Sequence, residues 1–375
     1  MCARRFIALL ALLLPFAVSG DEAEAPQSRL SDLLGSDDDA GFEKAIDPRE
    51  FVFPGDHGPH PGFRNEWWYV TGNLDGDGGE RFGFELTIFR FALTPELPAA
   101  ESNWRSNQVY IAHFAVTDAG RERFYAAERY SRGALGLAGA SADPFRVWID
   151  DWRMAAEERG QPERWRLRAS DPEFALDIAL TAAKPPVLNG VDGLSQKSAE
   201  PGNASYYYSI TRWLTDGTLR LGGDEFRVSG LSWLDREWSS SALAADQLGW
   251  DWFALQLSDG SELMFYNLRK LDGSQDEHSA GTWIDADGTS RHIDRDEIDI
   301  AVTDTWDSPE GGRYPSAWTL RFPDQGLSLD IRPVMADQEL FTTVRYWEGA
   351  VDVQGERQGL RIEGRGYVEL TGYAE

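Results

Sequence analysis

The sequence predicts an all-β protein of antiparallel sheets, laid out as two tandem copies of one architecture. Three observations carry this. From about residue 49, short aromatic and β-branched runs are broken by turn dipeptides. No long segment shows helical periodicity. One aromatic hairpin pattern also occurs twice, about half a chain apart. With 375 residues, the chain can hold two domains and bury a real core. At 12% aromatic residues, including 15 Trp, wholesale disorder is excluded.

The elements follow in chain order. Arg4 and Arg5 precede an apolar run from Phe6 to Phe16, and Val18-Ser19-Gly20 supplies small residues for cleavage. Residues 1–20 therefore read as a signal peptide, and the run is too short to span a membrane. The single Cys is Cys2, so no lipidated Cys follows the cleavage point. A chain exported without Cys suits an oxidising compartment, the periplasm or the exterior. Residues 21–48 are acidic, with Ser36-Asp37-Asp38-Asp39, and read as a mobile tether.

Strands are expected at 67–74, 81–93, 108–116, 146–152, 174–180, 206–213, 252–257, 262–268, 318–322, 344–353 and 360–370. Asp75-Gly76, Asp77-Gly78, Asp216-Gly217, Asp259-Gly260, Asp272-Gly273 and Asp287-Gly288 read as tight turns between them. Such runs close as sandwiches or barrels. The repeat pairs Glu66-Trp67-Trp68-Tyr69 and its Asp75-Gly76 with Trp250-Asp251-Trp252-Phe253 and its Asp259-Gly260. The boundary falls between Gly230 and Gln247, which gives domains 49–238 and 239–375.

Charge and motifs narrow the chemistry. A net charge of −27 repels phosphate backbones, so no nucleic-acid partner is expected. There is no Gly-x-Ser-x-Gly elbow, P-loop, His-Glu-x-x-His or dinucleotide fingerprint. His57 and His60 lack further ligands at a fixed spacing, so no metal site is expected. The barrel reading favours a closed apolar cup for one ligand.

Three acidic-aromatic clusters could line such a cup. Strand alternation puts Glu66 and Trp68 on one face, with Trp67 and Tyr69 on the other. In Trp233-Leu234-Asp235-Arg236-Glu237-Trp238, Asp235 and Glu237 share a face, and Trp238 shares the other with Arg236. In Trp250-Asp251-Trp252 the two indoles oppose Asp251. A carboxyl among apolar rings loses hydration, so its pKa rises and it can act as a general acid. Aromatic faces stabilise a transient cation. Together these suit protonation of an alkene and capture of the carbocation by water. The competing reading is structural: Arg236 would hold Asp235 or Glu237 ionised in a salt bridge. His113 suits a core or a pocket, and Tyr206 and Tyr208 share a face that could position a ligand or pack a sheet. Lys197, in the loop 190–197, suits either a binding residue, since loops concentrate them, or a solvated surface residue, which is the commoner case.

Several longer motifs carry a family resemblance. They are Asn65-Glu66-Trp67-Trp68-Tyr69, Trp233 to Trp238, Gly249-Trp250-Asp251-Trp252-Phe253, Tyr346-Trp347-Glu348-Gly349 and the run from Gly364 to Tyr373. From about Asp47 to Tyr373 the chain resembles the AttH and carotenoid 1,2-hydratase (hydroxyneurosporene synthase) family. The resemblance implies two lipocalin-like antiparallel β-barrels in tandem and a bacterial exported protein, sometimes encoded beside ABC-transporter components. It also implies hydration of the terminal double bond of acyclic carotenoids, with no redox cofactor. The hydratases of the family carry His-x-Trp near the start of the second domain, where this chain has Arg236-Glu237-Trp238. A permanent cation thus replaces an imidazole that titrates near neutrality.

The candidate catalytic residues are Asp251, Asp235, Glu237 and Trp238. The candidate ligand-binding residues are Glu66, Trp68, His113, Tyr206, Tyr208, Trp250 and Trp252. Three functions stay open: an isoprenoid hydratase, a non-catalytic carrier of an isoprenoid or lipid working with an ABC-type exporter, and an envelope accessory without ligand.

Overall fold

The computed structural model describes residues 39–99, 101–157, 163–241 and 243–374. The expected signal peptide, and the tether as far as residue 38, lie outside the described residues. The first thirteen strands are β1 (Asn65–Gly76), β2 (Arg81–Ala92), β3 (Gln108–Asp118), β4 (Arg123–Arg132), β5 (Ala138–Ala142), β6 (Phe145–Ile149), β7 (Trp152–Ala156), β8 (Arg164–Ser170), β9 (Phe174–Ala182), β10 (Val187–Leu188), β11 (Leu194–Gln196), β12 (Ala204–Leu221) and β13 (Asp224–Ser239). Ten more follow: β14 (Gln247–Leu257), β15 (Glu262–Lys270), β16 (Ala280–Ile284), β17 (Ser290–Asp294), β18 (Asp299–Asp307), β19 (Arg313–Phe322), β20 (Leu327–Pro333), β21 (Glu339–Phe341), β22 (Arg345–Arg357) and β23 (Leu360–Leu370).

These strands form two antiparallel sheets. The first runs β4-β3-β2-β1-β13-β12-β9-β8-β7-β6-β5, with β10 and β11 also on β12. The second runs β17-β16-β15-β14-β23-β22-β20-β19-β18, with β21 also on β22. In both, the first strand pairs with the second and with the last, so each sheet wraps around its own core. The result is two tandem barrel-like bodies with equivalent strand order.

Aromatic side chains pack the two interiors. In the first, Phe145 stacks on Trp165 at 4.1 Å, and Trp152, Trp213, Phe114 and Phe174 are fully or nearly fully buried beside them. In the second, Trp283, Trp318 and Trp347 gather around Phe253. Aromatic and aliphatic side chains therefore occupy the interior of the first barrel. A third apolar cluster bridges the two bodies, joining Tyr69, Tyr207 and Trp233 to Trp252, Met264, Tyr266 and Tyr367. The approach is close enough that Asn73 donates to the Gly366 carbonyl at 2.9 Å.

Three local expectations are corrected. The run 146–152 is two strands, because Asp150 adopts a left-handed conformation (φ +52°) and closes a hairpin between β6 and β7. Asp tolerates that conformation without a following glycine, so the turn carries no Asp-Gly signal. Asp216-Gly217 is no turn but lies inside β12, where a Cβ on Gly217 would stand 2.3 Å from the Asp177 carbonyl oxygen. The glycine there permits close backbone approach to β9. The chain turns instead at Gly222, with φ +60°. Residues 39–48 are also held, not loose: Ala45 is fully buried, and Glu43 hydrogen-bonds Gly62.

Candidate functional site

Between the two barrels lies a cavity enclosing about 780 Å³ of empty space, counting its open mouth. Trp67, Tyr69, Phe89, Tyr207 and Asp235 line it from the first sheet. Trp250, Trp252, Tyr266 and Glu369 line it from the second. Register explains the assembly. Tyr69 pairs with Asp235, and Trp67 with Glu237, across β1 and β13. Tyr207 pairs with Glu237 across β12 and β13. Trp252 pairs with Glu369 and Tyr266 across β23 and β15. Directly opposite residues share a face, so one outward face of each barrel supplies the whole wall.

Asp235 is the most unusual wall residue. It is almost wholly buried, and among the described residues no cation stands within ion-pair distance of it. Its Oδ2 accepts from the Tyr207 hydroxyl at 2.5 Å. Its Oδ1 accepts from Ser209 Oγ at 2.5 Å and Trp233 Nε1 at 2.7 Å. Burial raises its pKa to about 7, outweighing these three donors, and the Glu237 charge adds to the rise. The Tyr207 hydroxyl also accepts from Trp252 Nε1 at 3.2 Å, tying the acid to the second barrel.

Glu237 sits closer to the mouth. It bonds Ser205 Oγ and pairs with Lys197 Nζ at 3.2 Å. Lys197 is a correction to its surface reading. Its side chain is 12% exposed, and the ammonium lies 4.1 Å from the Tyr266 ring centroid. Burial opposes its charge, but Glu237 and its acidic neighbours hold its pKa above the usual lysine value.

On the opposite wall, Glu369 Oε1 accepts from Trp250 Nε1 at 2.6 Å. Burial lifts this carboxyl to about 7 as well, against hydrogen bonds from Glu348 and Trp250. Glu348 faces Glu369 directly across β22 and β23, and its Oε2 accepts from the Tyr69 hydroxyl at 2.8 Å. Burial, then the charges of Glu369 and Glu85, push Glu348 well above the carboxylate range.

Of the eleven residues singled out from sequence, Asp235, Glu237, Trp250 and Trp252 meet at this cavity. The others lie elsewhere. Asp251 points away from it, bound to Arg269 at 2.9 Å and to the Tyr373 hydroxyl at 2.9 Å. Trp238 faces the first barrel's interior and stacks on His60 at 3.7 Å. Trp68 donates to the His57 carbonyl at 2.8 Å, with the Arg236 guanidinium 4.0 Å over its ring. Glu66 is fully buried between Arg90 and Arg236. Burial alone would raise its pKa, but the two guanidinium groups hold it well below the usual range. Arg236 thus pairs with Glu66 and leaves Asp235 and Glu237 on the other face. Tyr206 donates to the Asp47 carbonyl, and Tyr208 hydrogen-bonds His57 Nδ1 at 2.6 Å. His113 lies at the junction between Tyr346, at 2.6 Å, and Glu128, at 2.9 Å.

Trp67, Tyr69, Tyr207, Tyr266 and Glu369 were not anticipated as site residues. The alternation was legible for the first two, which lie opposite Glu66 and Trp68. Tyr207 is the middle residue of Tyr206-Tyr207-Tyr208, on the face the flanking tyrosines do not use. Glu369 needed the pairing of β14 with β23, which no local pattern reveals. Among the described residues, no group of three His, Cys, Asp or Glu is arranged to hold a metal ion.

Fold and site together define a two-barrel lipocalin-like protein with an aromatic, acid-lined cavity at the barrel junction. The chain belongs to the AttH-like family, whose model matches residues 44–373. A crystal structure of an AttH protein from Nitrosomonas europaea is 34% identical, with a TM-score of 0.79, over 89% of this chain and 100% of that one. Kievitone hydratase from Nectria haematococca shares the fold at 15% identity and a TM-score of 0.65, over 89% of this chain and 98% of that one. No curated protein matches the chain by sequence.

Proposed function

We propose that this protein is a hydro-lyase that adds water to a carbon–carbon double bond of an apolar, isoprenoid-like molecule held between the barrels. The observation that carries this is Asp235: a carboxyl buried on an aromatic wall, with no cation in ion-pair distance among the described residues, its pKa raised by burial to about 7. A neutral carboxylic acid at ambient pH can donate a proton, which an ordinary surface aspartate cannot. The fold shared with kievitone hydratase supports the same class.

The chemistry balances without an oxidant or reductant. The alkene π pair takes the Asp235 proton and forms a C–H bond. The adjacent carbon becomes cationic. Trp252, Tyr69 and Trp250 present ring faces and edges around the cavity, and an aromatic face stabilises a desolvated cation by about 2 kcal/mol or more. A water oxygen then forms the C–O bond, and the oxonium releases one proton to a carboxylate. The net change is one water added.

The test uses geranylgeraniol as probe, incubated with the full exported chain in heavy-oxygen water. The expected product is a tertiary alcohol carrying the label. Asp235→Asn lowers its rate by about a hundredfold or more while the probe still binds. Binding without oxygen uptake by the unaltered protein contradicts the hydration reading and leaves the cavity as a carrier's binding site.

A further inference from the structure

We propose that Glu369 is a second acid–base residue of this cavity, the base that takes the proton from the attacking water while Asp235 protonates the alkene. The inference rests on the hydration reading and completes it, because that reading does not say which carboxylate takes the water's proton. Three observations converge on Glu369. It lines the same cavity as Asp235 but comes from the other barrel, so the two carboxyls face the space from opposite walls. Its orientation is fixed: Trp250 Nε1 donates to Oε1 at 2.6 Å, and Glu348 stands directly across the strand pair. Glu348 is itself pinned by the Tyr69 hydroxyl at 2.8 Å.

The pair behind the wall has a consistent division of labour. Glu348 is fully buried directly across the strand pair from Glu369, and burial with the charges of Glu369 and Glu85 favours its neutral form. The Trp250 indole N–H is a fixed donor to the charged form of Glu369, and a carboxylate so held can accept a proton and return it. The titratable groups that act on it are Glu348 and Tyr346 from β22, Glu85 from β2, Tyr69 from β1, and Asp235 and Glu237 from β13. Lys197 is the nearby cation, and it is engaged by Glu237. The acidic surroundings allow one of Asp235 and Glu369 to hold a proton while the other is ionised, which is the state an acid–base pair requires.

The step runs as follows in atoms. Asp235 gives its proton to one alkene carbon. Water forms a C–O bond to the other, and its departing proton goes to a Glu369 carboxylate oxygen. A proton then returns from Glu369 to Asp235 through solvent at the open mouth, restoring both. The proton and the hydroxyl thus reach the substrate from different barrels.

Two measurements decide it. The first is the pH profile of labelled-oxygen uptake by geranylgeraniol, which the pair makes bell-shaped. Glu369→Gln removes the acidic limb, because no base then needs to ionise, and lowers the maximum about a hundredfold. Glu369→Asp keeps the limb and restores part of the rate. Asp235→Asn removes the alkaline limb instead. A Glu369→Gln protein that keeps the acidic limb overturns the role of Glu369 while leaving hydration intact. Absence of uptake by the unaltered protein is failure of the hydration reading itself. The second measurement needs no turnover. Isotope-edited infrared titration of the glutamate carboxyls should show one group titrating near neutrality that disappears in Glu369→Gln. That group should titrate at lower pH in Asp235→Asn, because a like charge has been removed. A Glu369 that stays protonated well above neutrality, or that ignores the Asp235 substitution, contradicts the pairing.

Discussion

Asp235 and Asp251 both sit in tryptophan-rich stretches of sequence, yet the structure gives them opposite characters. Asp251 is buried, and burial raises its pKa, but Arg269, Tyr373 and Asn267 all gather on its carboxyl. Asp235 meets only neutral donors and has Glu237 as its charged neighbour. One carboxyl is part of a buried ion pair, and the other is a poised acid. Asp251→Asn should therefore lower the free energy of unfolding by roughly 3–5 kcal/mol, since Arg269 loses its partner. Its rate of water addition per folded molecule should stay unchanged. Denaturant unfolding and the labelled-water assay, run side by side, check both halves. A loss of turnover without a loss of stability would move the chemistry to Asp251.

At the scale of the strand, β13 does most of the sorting. Alternation sends Leu234, Arg236 and Trp238 into the first barrel, and Asp235 and Glu237 toward the second. Period-two reasoning reads this directly from Trp233 to Trp238, which is why half of the acid chemistry was legible. The same reasoning separated Trp67 and Tyr69 from Glu66 and Trp68, but it could not say which face met a ligand. The barrel interior was the natural guess, because lipocalin-like cups bind ligands there. Here the interior is filled by Trp152, Trp165, Trp213 and their neighbours, and the outer faces make the site. The repeat was visible for a related reason and misleading in detail. Trp68 and Trp252 share a spacing to Asp-Gly, yet Trp68 is in the core and Trp252 on the cavity. Glu369 was illegible because its place depends on the last strand returning to pair with β14, a contact between residues more than a hundred positions apart.

For the whole molecule, the site exists only because two barrels meet. Each brings aromatic walls and one carboxyl, and neither wall alone encloses a cavity. The arrangement has a thermodynamic consequence. Asp235 and Glu369 have folded-state pKa values of about 7, above their ordinary values near 4. The folded state then binds more protons than the unfolded chain across that window, so stability falls as pH rises from about 4 to about 7. Below the window the penalty is absent, and above it the penalty is complete, at a few kcal/mol for each of the two groups. Urea unfolding across this range should show that slope, and Asp235→Asn should flatten it.

The most direct test of the account is the titration of Asp235 itself. Isotope-edited infrared spectroscopy of aspartate carboxyls, with Asp235→Asn to assign the band, reads its protonation without any substrate. The account predicts a protonated carboxyl at mildly acidic pH that ionises with a midpoint near 7. An Asp235 already ionised at pH values well below neutrality would contradict it, because the inter-barrel cavity would then hold no acid to begin the reaction.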